Sequence, residues 1–121
     1  MISRDEILMG RDAQFPLTPE LEANLTALLE AVNKLRALYG EPMYVSSGYR
    51  PGPFNKAAGG AKNSPHMTCQ AVDFHDADGK LKAWVTTDIL EQCGLWQEDP
   101  KSTPTWLHVD IRPRAHRVFI P

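Results

Sequence analysis

Three residues of the sequence combine side-chain types and spacing that suit a metal ion: His66, Asp73 and His108. A catalytic zinc site usually takes three nitrogen or oxygen ligands from the protein and leaves a further position to water. His66 and Asp73 stand at the two ends of a segment that runs from a loop into a strand, so both side chains can reach one ion. The third ligand must come from elsewhere in the chain.

His108 fits the third position by strand alternation. Successive side chains of a strand point to opposite faces of the sheet. A strand over residues 106–111 therefore has an apolar face made of Leu107, Val109 and Ile111. Its other face is made of Trp106, His108 and Asp110 and carries the groups that can take part in chemistry. This pattern places an imidazole where it can line a cleft, and a metal held there would activate water for hydrolysis.

A long helix is the clearest element that must support these residues. Thr18 is a suitable N-cap, Pro19 suits the first helical position, and Gly40 is typical of the residue that follows a helix. Apolar residues recur between them in steps of three and four, at Leu21, Leu25, Leu28, Val32, Leu35 and Tyr39. This stripe predicts a scaffold helix without chemistry of its own.

Short strands are predicted over residues 43–46, 70–74, 95–98, 106–111 and 118–120, with a second helix over 81–93. The strands over 95–98 and 106–111 are expected to pair around a loop that contains two prolines. Helices and strands are segregated along the chain, which predicts an α+β fold with a small antiparallel sheet and helices packed on one side. A length of 121 residues predicts a single domain over 1–121.

Composition argues against several classes of protein. The net charge of −2 comes without a basic stripe, so a nucleic-acid partner is not expected. No stretch approaches the roughly 20 apolar residues of a membrane span, and the first residues lack the apolar core of a signal peptide. We therefore expect no membrane partner and synthesis in the cytoplasm. Cys69 and Cys93 form no CxxC pair, which favours two free thiols.

Three blocks of the sequence carry a family resemblance: SGYRP at 47–51, GGAKNSPHMTCQAVDF at 59–74 and WLHVD at 106–110. They resemble the signature of the zinc D-alanyl-D-alanine carboxypeptidase family, which includes L-alanyl-D-glutamate endopeptidases of phages and bacteria. That signature is a serine-rich strand ending in an arginine, then SxHxxGxAxD, then an aromatic-x-His. The resemblance implies the hedgehog/DD-peptidase fold and one zinc ion bound by His66, Asp73 and His108.

The resemblance also implies roles for residues that would contact the substrate. Arg50 matches the arginine that binds a carbonyl or carboxylate and stabilises the oxyanion, a task that suits a planar guanidinium. Residue type and position, and not the resemblance, add Ser64 and Trp106 as candidates for substrate binding; Trp106 can form a platform for a sugar or peptide or pack in the core. Ser64 also precedes the ligand segment closely enough to hold it in place.

The signature is incomplete at the general base. Many members place an acidic residue three positions before the third ligand, where this chain has Thr105. Glu98 and Asp110 are the alternatives, because a hairpin can return Glu98 to the metal and Asp110 shares a strand face with His108. Glu98 is preferred, since Asp110 can instead orient a ligand histidine.

The signature also departs at Cys69, where the family has a glycine. A glycine there would allow tight packing or a positive φ. A buried structural thiol is expected at this position in preference to an extra metal ligand.

The resemblance implies a zinc peptidase that cleaves a bond in the stem peptide of peptidoglycan. The bond would be that of a D,D-carboxypeptidase, an L-Ala-D-Glu endopeptidase or a D,D-endopeptidase. Within this family we expect the chain to be a monomeric phage-type endolysin. Such a protein would be made in the host cytoplasm and act on the cell wall or in the periplasm. The alternative is a non-catalytic, zinc-stabilised binding or phage morphogenesis domain, which the missing carboxylate at position 105 keeps open.

Overall fold

Five short strands form one sheet in the order β1–β2–β4–β3–β5. The structure is a computed structural model that describes residues 1–121. The strands are β1 (Val45–Ser47), β2 (Ala71–His75), β3 (Trp96–Glu98), β4 (Trp106–Asp110) and β5 (Val118–Phe119). The predicted hairpin is present, because β3 and β4 pair antiparallel.

The sequence pattern predicted an antiparallel sheet. Three of the strand pairs are antiparallel, but β5 runs parallel to β3. The reason lies in the path of the chain after β4. Residues 111–117 reverse the chain and carry it past β3 to the outer edge of the sheet. A strand that runs antiparallel to β4 at that edge must run parallel to β3.

Five helices accompany the sheet: α1 (Arg4–Leu8), α2 (Pro19–Tyr39), α3 (Gly52–Ala57), α4 (Lys80–Trp84) and α5 (Thr87–Cys93). The predicted scaffold helix is confirmed as α2, in which the Thr18 hydroxyl accepts the N–H of Leu21 and Gly40 ends the helix with a positive φ. Three 3₁₀ turns also occur, at Arg11–Ala13, Pro65–Thr68 and Pro100–Ser102. None of the helices combines the length and the apolar character that a membrane crossing requires.

The core lies on one face of the sheet. Alternate residues of β2 and β4 belong to the same buried cluster as the stripe of α2; from the strands these are Val72, Phe74, Leu107 and Val109, and from the helix Leu25, Leu28, Val32 and Leu35. Each fully buried side chain of this kind contributes roughly 1.5–3 kcal/mol relative to exposure. The residues between them on the strands must therefore point to the other face.

The prediction of one helix over residues 81–93 is wrong, because this segment is divided into α4 and α5. Val85 has an extended backbone, with φ −67° and ψ 138°. The hydroxyl of Thr86 then accepts the N–H of Ile89 and starts a new helix. A threonine that caps α5 is more favourable here than a β-branched pair inside one continuous helix.

Helix α1 was not predicted. Ser3 and Glu6 form a capping box at its start, and Ile7 and Leu8 bury their side chains in the core. The helix also sets the position of the chain after β1. A Cβ atom on Gly48 would lie 2.1 Å from the carbonyl oxygen of Ile7, so only glycine permits this close approach.

Lys82 connects α4 to the loop between β3 and β4. Its Nζ donates hydrogen bonds to the carbonyl oxygens of Thr103, Pro104 and Trp106 at 2.6, 3.0 and 3.1 Å. It also lies 3.6 Å from the buried carboxylate of Asp76. We expect Lys82→Met to lower the free energy of unfolding by about 3 kcal/mol, because it leaves a buried charge and a carbonyl cluster without their partner. Urea unfolding followed by circular dichroism measures this change.

Lys80→Met is the matched control for Lys82→Met, on the same helix. Lys80 pairs with Glu41 on the surface, where both side chains are more than half exposed. Such a pair contributes little to stability, so no resolvable shift of the urea midpoint is expected. Equal shifts for the two variants would contradict the buried role of Lys82.

Candidate metal centre and cleft

A row of polar residues crosses the face of the sheet that lies away from the core. Asp73 pairs with Ser47 on one side and with His108 on the other. Gln97 pairs with Val109, so the same register continued by one residue places Glu98 beside His108. Glu98 is in turn the partner of Phe119. Since paired residues share a face of the sheet, the row brings together side chains from all five strands.

The predicted trio converges at this row. Each of His66, Asp73 and His108 is buried and offers one ligand atom, and these three atoms lie within 4.8 Å of one another. Oδ2 of Asp73 lies 3.3 Å from Nε2 of His66, and Oδ1 lies 2.8 Å from Nδ1 of His108. Nε2 of His66 is buried and has no hydrogen-bond partner. A cation that takes its lone pair would remove this penalty, so the trio fits a metal ion.

The second nitrogen of each imidazole is engaged away from the trio. Nδ1 of His66 lies 2.9 Å from the carbonyl oxygen of Gly48, which can only accept, so Nδ1 carries the proton. Nε2 of His108 lies 2.7 Å from Oδ2 of Asp110. These contacts orient the two rings so that Nε2 of His66 and Nδ1 of His108 face Asp73. Outer contacts of this kind are typical of metal-binding histidines.

The 3₁₀ turn Pro65–Thr68 holds His66 in place. The Ser64 hydroxyl accepts the backbone N–H of His66, and the carbonyl of His66 accepts the N–H of Arg50 at 3.0 Å. Cys69 ends the turn with a φ of 58°, the left-handed conformation that the glycine of the family signature would adopt without strain. Its thiol is buried in the core, and burial raises its pKa to about 12. Cys69 is therefore a structural thiol, as expected.

The ionisation of the trio reflects a site that favours positive charge. Burial disfavours the imidazolium of His108, but hydrogen bonds to Asp110 and Asp73 outweigh burial and raise its pKa to about 9. Burial alone would raise the pKa of Asp73, yet the hydrogen bond to His108 and the nearby ring of His66 hold that pKa far below its usual range. Two carboxylates therefore flank one imidazole, an arrangement suited to a bound cation.

A cleft of about 490 Å³ opens over the trio. Four other predicted site residues line it: Arg50, Ser64, Glu98 and Trp106. Burial raises the pKa of the Glu98 carboxyl, which the charge of His108 partly offsets. Burial also lowers the pKa of Arg50, and its Nε has no hydrogen-bond partner. The cleft therefore holds a carboxyl group and an unpaired guanidinium beside the metal-ligand atoms.

Asp110 occupies a different position from the one that a general base requires. Its side chain is fully buried and does not line the cleft. One of its oxygens bonds Nε2 of His108, on the side of the ring opposite Asp73. Of the two alternatives that the sequence left open, the geometry places Glu98 in the cleft and Asp110 behind His108.

Several residues that line the cleft were not predicted as site residues, among them Arg112, Arg114 and Phe119. Arg112 donates from Nη1 to the carbonyl of Asn63 at 2.7 Å, which connects the segment after β4 to the loop that precedes His66. Only their closeness in sequence to the WLHVD block could have indicated these residues. Their contacts depend on the path of residues 111–117.

Comparison with known families agrees with the geometry. A family model described as Peptidase M15 matches residues 5–110. This range runs from the second residue of α1 to the end of β4 and contains all three residues of the trio. A search of curated proteins found no match.

Proposed function

The chain belongs to the peptidase M15 family, and we propose that it is a zinc-dependent peptidase that hydrolyses a peptide bond in the stem peptide of peptidoglycan. The observation that carries the proposal is the convergence of two imidazoles and a carboxylate in a cleft that also contains Glu98 and Arg50. Two histidines and one carboxylate are a ligand set of catalytic zinc and leave a position open to water.

His66, Asp73 and His108 would hold the ion, through Nε2, a carboxylate oxygen and Nδ1 respectively. A zinc ion supplies two effects when bound, because it polarises the scissile carbonyl and lowers the pKa of a water molecule. The chain must supply the remaining chemistry, which is the transfer of protons and the binding of the substrate.

Glu98 is proposed as the general base and acid. Its carboxylate would accept a proton from the attacking water and then deliver that proton to the nitrogen of the leaving amine. Partial burial, which raises its pKa, supports this role because it brings the carboxyl closer to neutral pH. The register that places Glu98 beside His108 puts it within the same row as the metal ligands.

Arg50 is proposed to bind the substrate. Its guanidinium lines the cleft without a bond to any carboxylate of the chain, which leaves it available for a substrate carboxylate or for a developing oxyanion. Trp106, the first residue of β4, would form a wall for the peptide. Ser64 would act mainly through its hydrogen bond to the backbone of His66.

The finer assignments come from the sequence resemblance. The bond is that of a D,D-carboxypeptidase, an L-Ala-D-Glu endopeptidase or a D,D-endopeptidase, and the proposed biological role is that of a monomeric phage-type wall lysin. The rival proposal is a zinc-stabilised domain without activity. Thr105 favours the rival, because it replaces the usual acid, whereas Glu98 in the cleft favours the enzyme.

Digestion of isolated peptidoglycan tests the proposal. Zinc-loaded protein is expected to release free amino groups, and mass spectrometry of the muropeptides then identifies the bond from the fragment masses. The same protein treated with a zinc chelator is the control and should release nothing. If zinc-loaded protein is inert on peptidoglycan of several wall types, the enzyme proposal fails and the zinc-stabilised domain replaces it.

A further inference from the structure

The buried carboxylate of Asp110 is bonded on both sides. Oδ2 lies 2.7 Å from Nε2 of His108. Oδ1 accepts from Nη1 of Arg114 at 2.5 Å and from the backbone N–H of Arg112 at 3.1 Å. Since the side chain has no exposed surface, water does not compete for either oxygen. Asp110 therefore has one orientation, in which Oδ1 faces the arginine and Oδ2 faces the histidine.

Arg114 is itself held by contacts beyond Asp110. Its guanidinium carbon lies 3.5 Å from the centre of the Phe119 ring, and Nη1 also donates to the carbonyl of Arg112 at 3.0 Å. The Phe119 ring stands edge-on to the His108 ring at 6.0 Å. Arg114, Phe119 and His108 thus form one packed group at the β5 edge of the sheet, and the arginine side chain is only 22% exposed.

We propose that Arg114 is a positioning residue for His108, acting through Asp110. The inference rests on the proposed metal site. A buried carboxylate is poorly compensated by an imidazole alone, and the guanidinium supplies the missing counter-charge. By fixing Oδ1, Arg114 leaves Oδ2 as the acceptor for the N–H at Nε2. His108 then presents Nδ1, unprotonated, to the ion.

The same segment offers a matched comparison in Arg117. Its guanidinium carbon lies 4.1 Å from the centre of the Trp96 ring, and Nη1 donates to the carbonyl of Leu95 at 3.0 Å. Arg117 therefore has the same charge, a similar aromatic neighbour and a backbone acceptor, but no bond to Asp110. A change at Arg117 reports what the loss of an arginine in this segment does by itself.

Zinc affinity of the full chain, measured by competition with a chromophoric chelator, tests the proposal without recourse to activity. Arg114→Met is expected to weaken zinc binding by about 10–100-fold, the usual effect of removing an outer partner of a metal ligand. Arg117→Met is expected to bind zinc as the wild type does. The ¹⁵N signals of the His108 ring, assigned by comparison with a His108→Gln variant, should show a single Nε2-protonated tautomer in the zinc-loaded wild type and its loss or averaging in Arg114→Met.

Unchanged zinc affinity in Arg114→Met would overturn the proposal, and so would an equal loss in Arg117→Met, which would reveal a general structural effect. Where Arg114→Met does not fold, Arg114→Gln replaces it and is held to the same criterion. A wild-type chain that binds no zinc would overturn this inference together with the proposed metal site. If the wild type binds zinc and cleaves peptidoglycan while Arg114→Met binds zinc equally well, only this inference fails.

Discussion

Replacing Glu98 with glutamine is expected to lower kcat on peptidoglycan by about 10²–10⁴-fold, the usual contribution of a general acid–base group. The change keeps the size and polarity of the side chain but removes its ability to accept a proton. Glu98 is not one of the three groups whose ligand atoms converge, so zinc content is expected to remain that of the wild type. Amine release measured under zinc saturation, with the metal content of each sample determined in parallel, checks both parts.

Glu91→Gln is the matched control for Glu98→Gln. Glu91 is an exposed residue of α5 that does not line the cleft, so the same chemical change occurs outside it and activity should be retained. Asp110→Asn addresses the alternative base. Because Asp110 bonds Nε2 of His108 from outside the cleft, its replacement should weaken zinc binding, and excess zinc should recover much of the activity. Full activity in Glu98→Gln, with none in zinc-saturated Asp110→Asn, would assign the base to Asp110 instead.

The parts of the fold and site that could be predicted depend on local patterns. Helix α2 carries its signals within its own sequence, in the Thr18 cap, the apolar stripe and Gly40. The opposite faces of β4 follow from alternation, which separates His108 from Leu107 without knowledge of the partner strands. The family resemblance then assigned His66, Asp73 and His108 to one site, a long-range proximity that spacing alone does not establish.

The parts that could not be predicted depend on contacts between distant segments. The general base stayed a choice between two residues because the register of β3 against β4 decides which carboxylate reaches the cleft. The contribution of α1 to the proposed metal site was not predicted, because α1 acts on the site through another residue. The helix packs against Gly48, whose carbonyl accepts the proton at Nδ1 of His66. A segment at the start of the chain thereby sets the orientation of a proposed metal ligand.

The path of residues 111–117 could not be predicted from the sequence either. It brings β5 to the outer edge of the sheet and Arg114 back to Asp110. A run of arginines and prolines is more often a solvated surface loop, and its composition does not reveal which guanidinium meets a buried carboxylate. The three arginines of this run have different partners, which only the packing of β5 distinguishes.

Removal of zinc is expected to lower the melting temperature of the chain by roughly 10–20 °C. An ion that binds only the folded state at about 1,000 times its Kd stabilises that state by about 4 kcal/mol. For a domain of this size each kcal/mol corresponds to several degrees. The structural basis is the buried Nε2 of His66, which lacks a hydrogen-bond partner and so gains a contact when the ion binds. Thermal unfolding with zinc and with a chelator measures the difference.

Two histidines of the chain allow this expectation to be assigned to particular ligands. His66→Ala removes a nitrogen of the trio, so the zinc-dependent rise in melting temperature should almost disappear and the protein should bind less than one ion per chain. His75→Ala removes an exposed histidine at the end of β2, which lies on the same strand as Asp73 but outside the trio. It should retain both the ion and the full rise. If His66→Ala keeps one zinc ion and the full zinc-dependent rise in melting temperature, the ion is bound elsewhere. The roles assigned to Glu98 and Arg50 beside that ion would then be wrong.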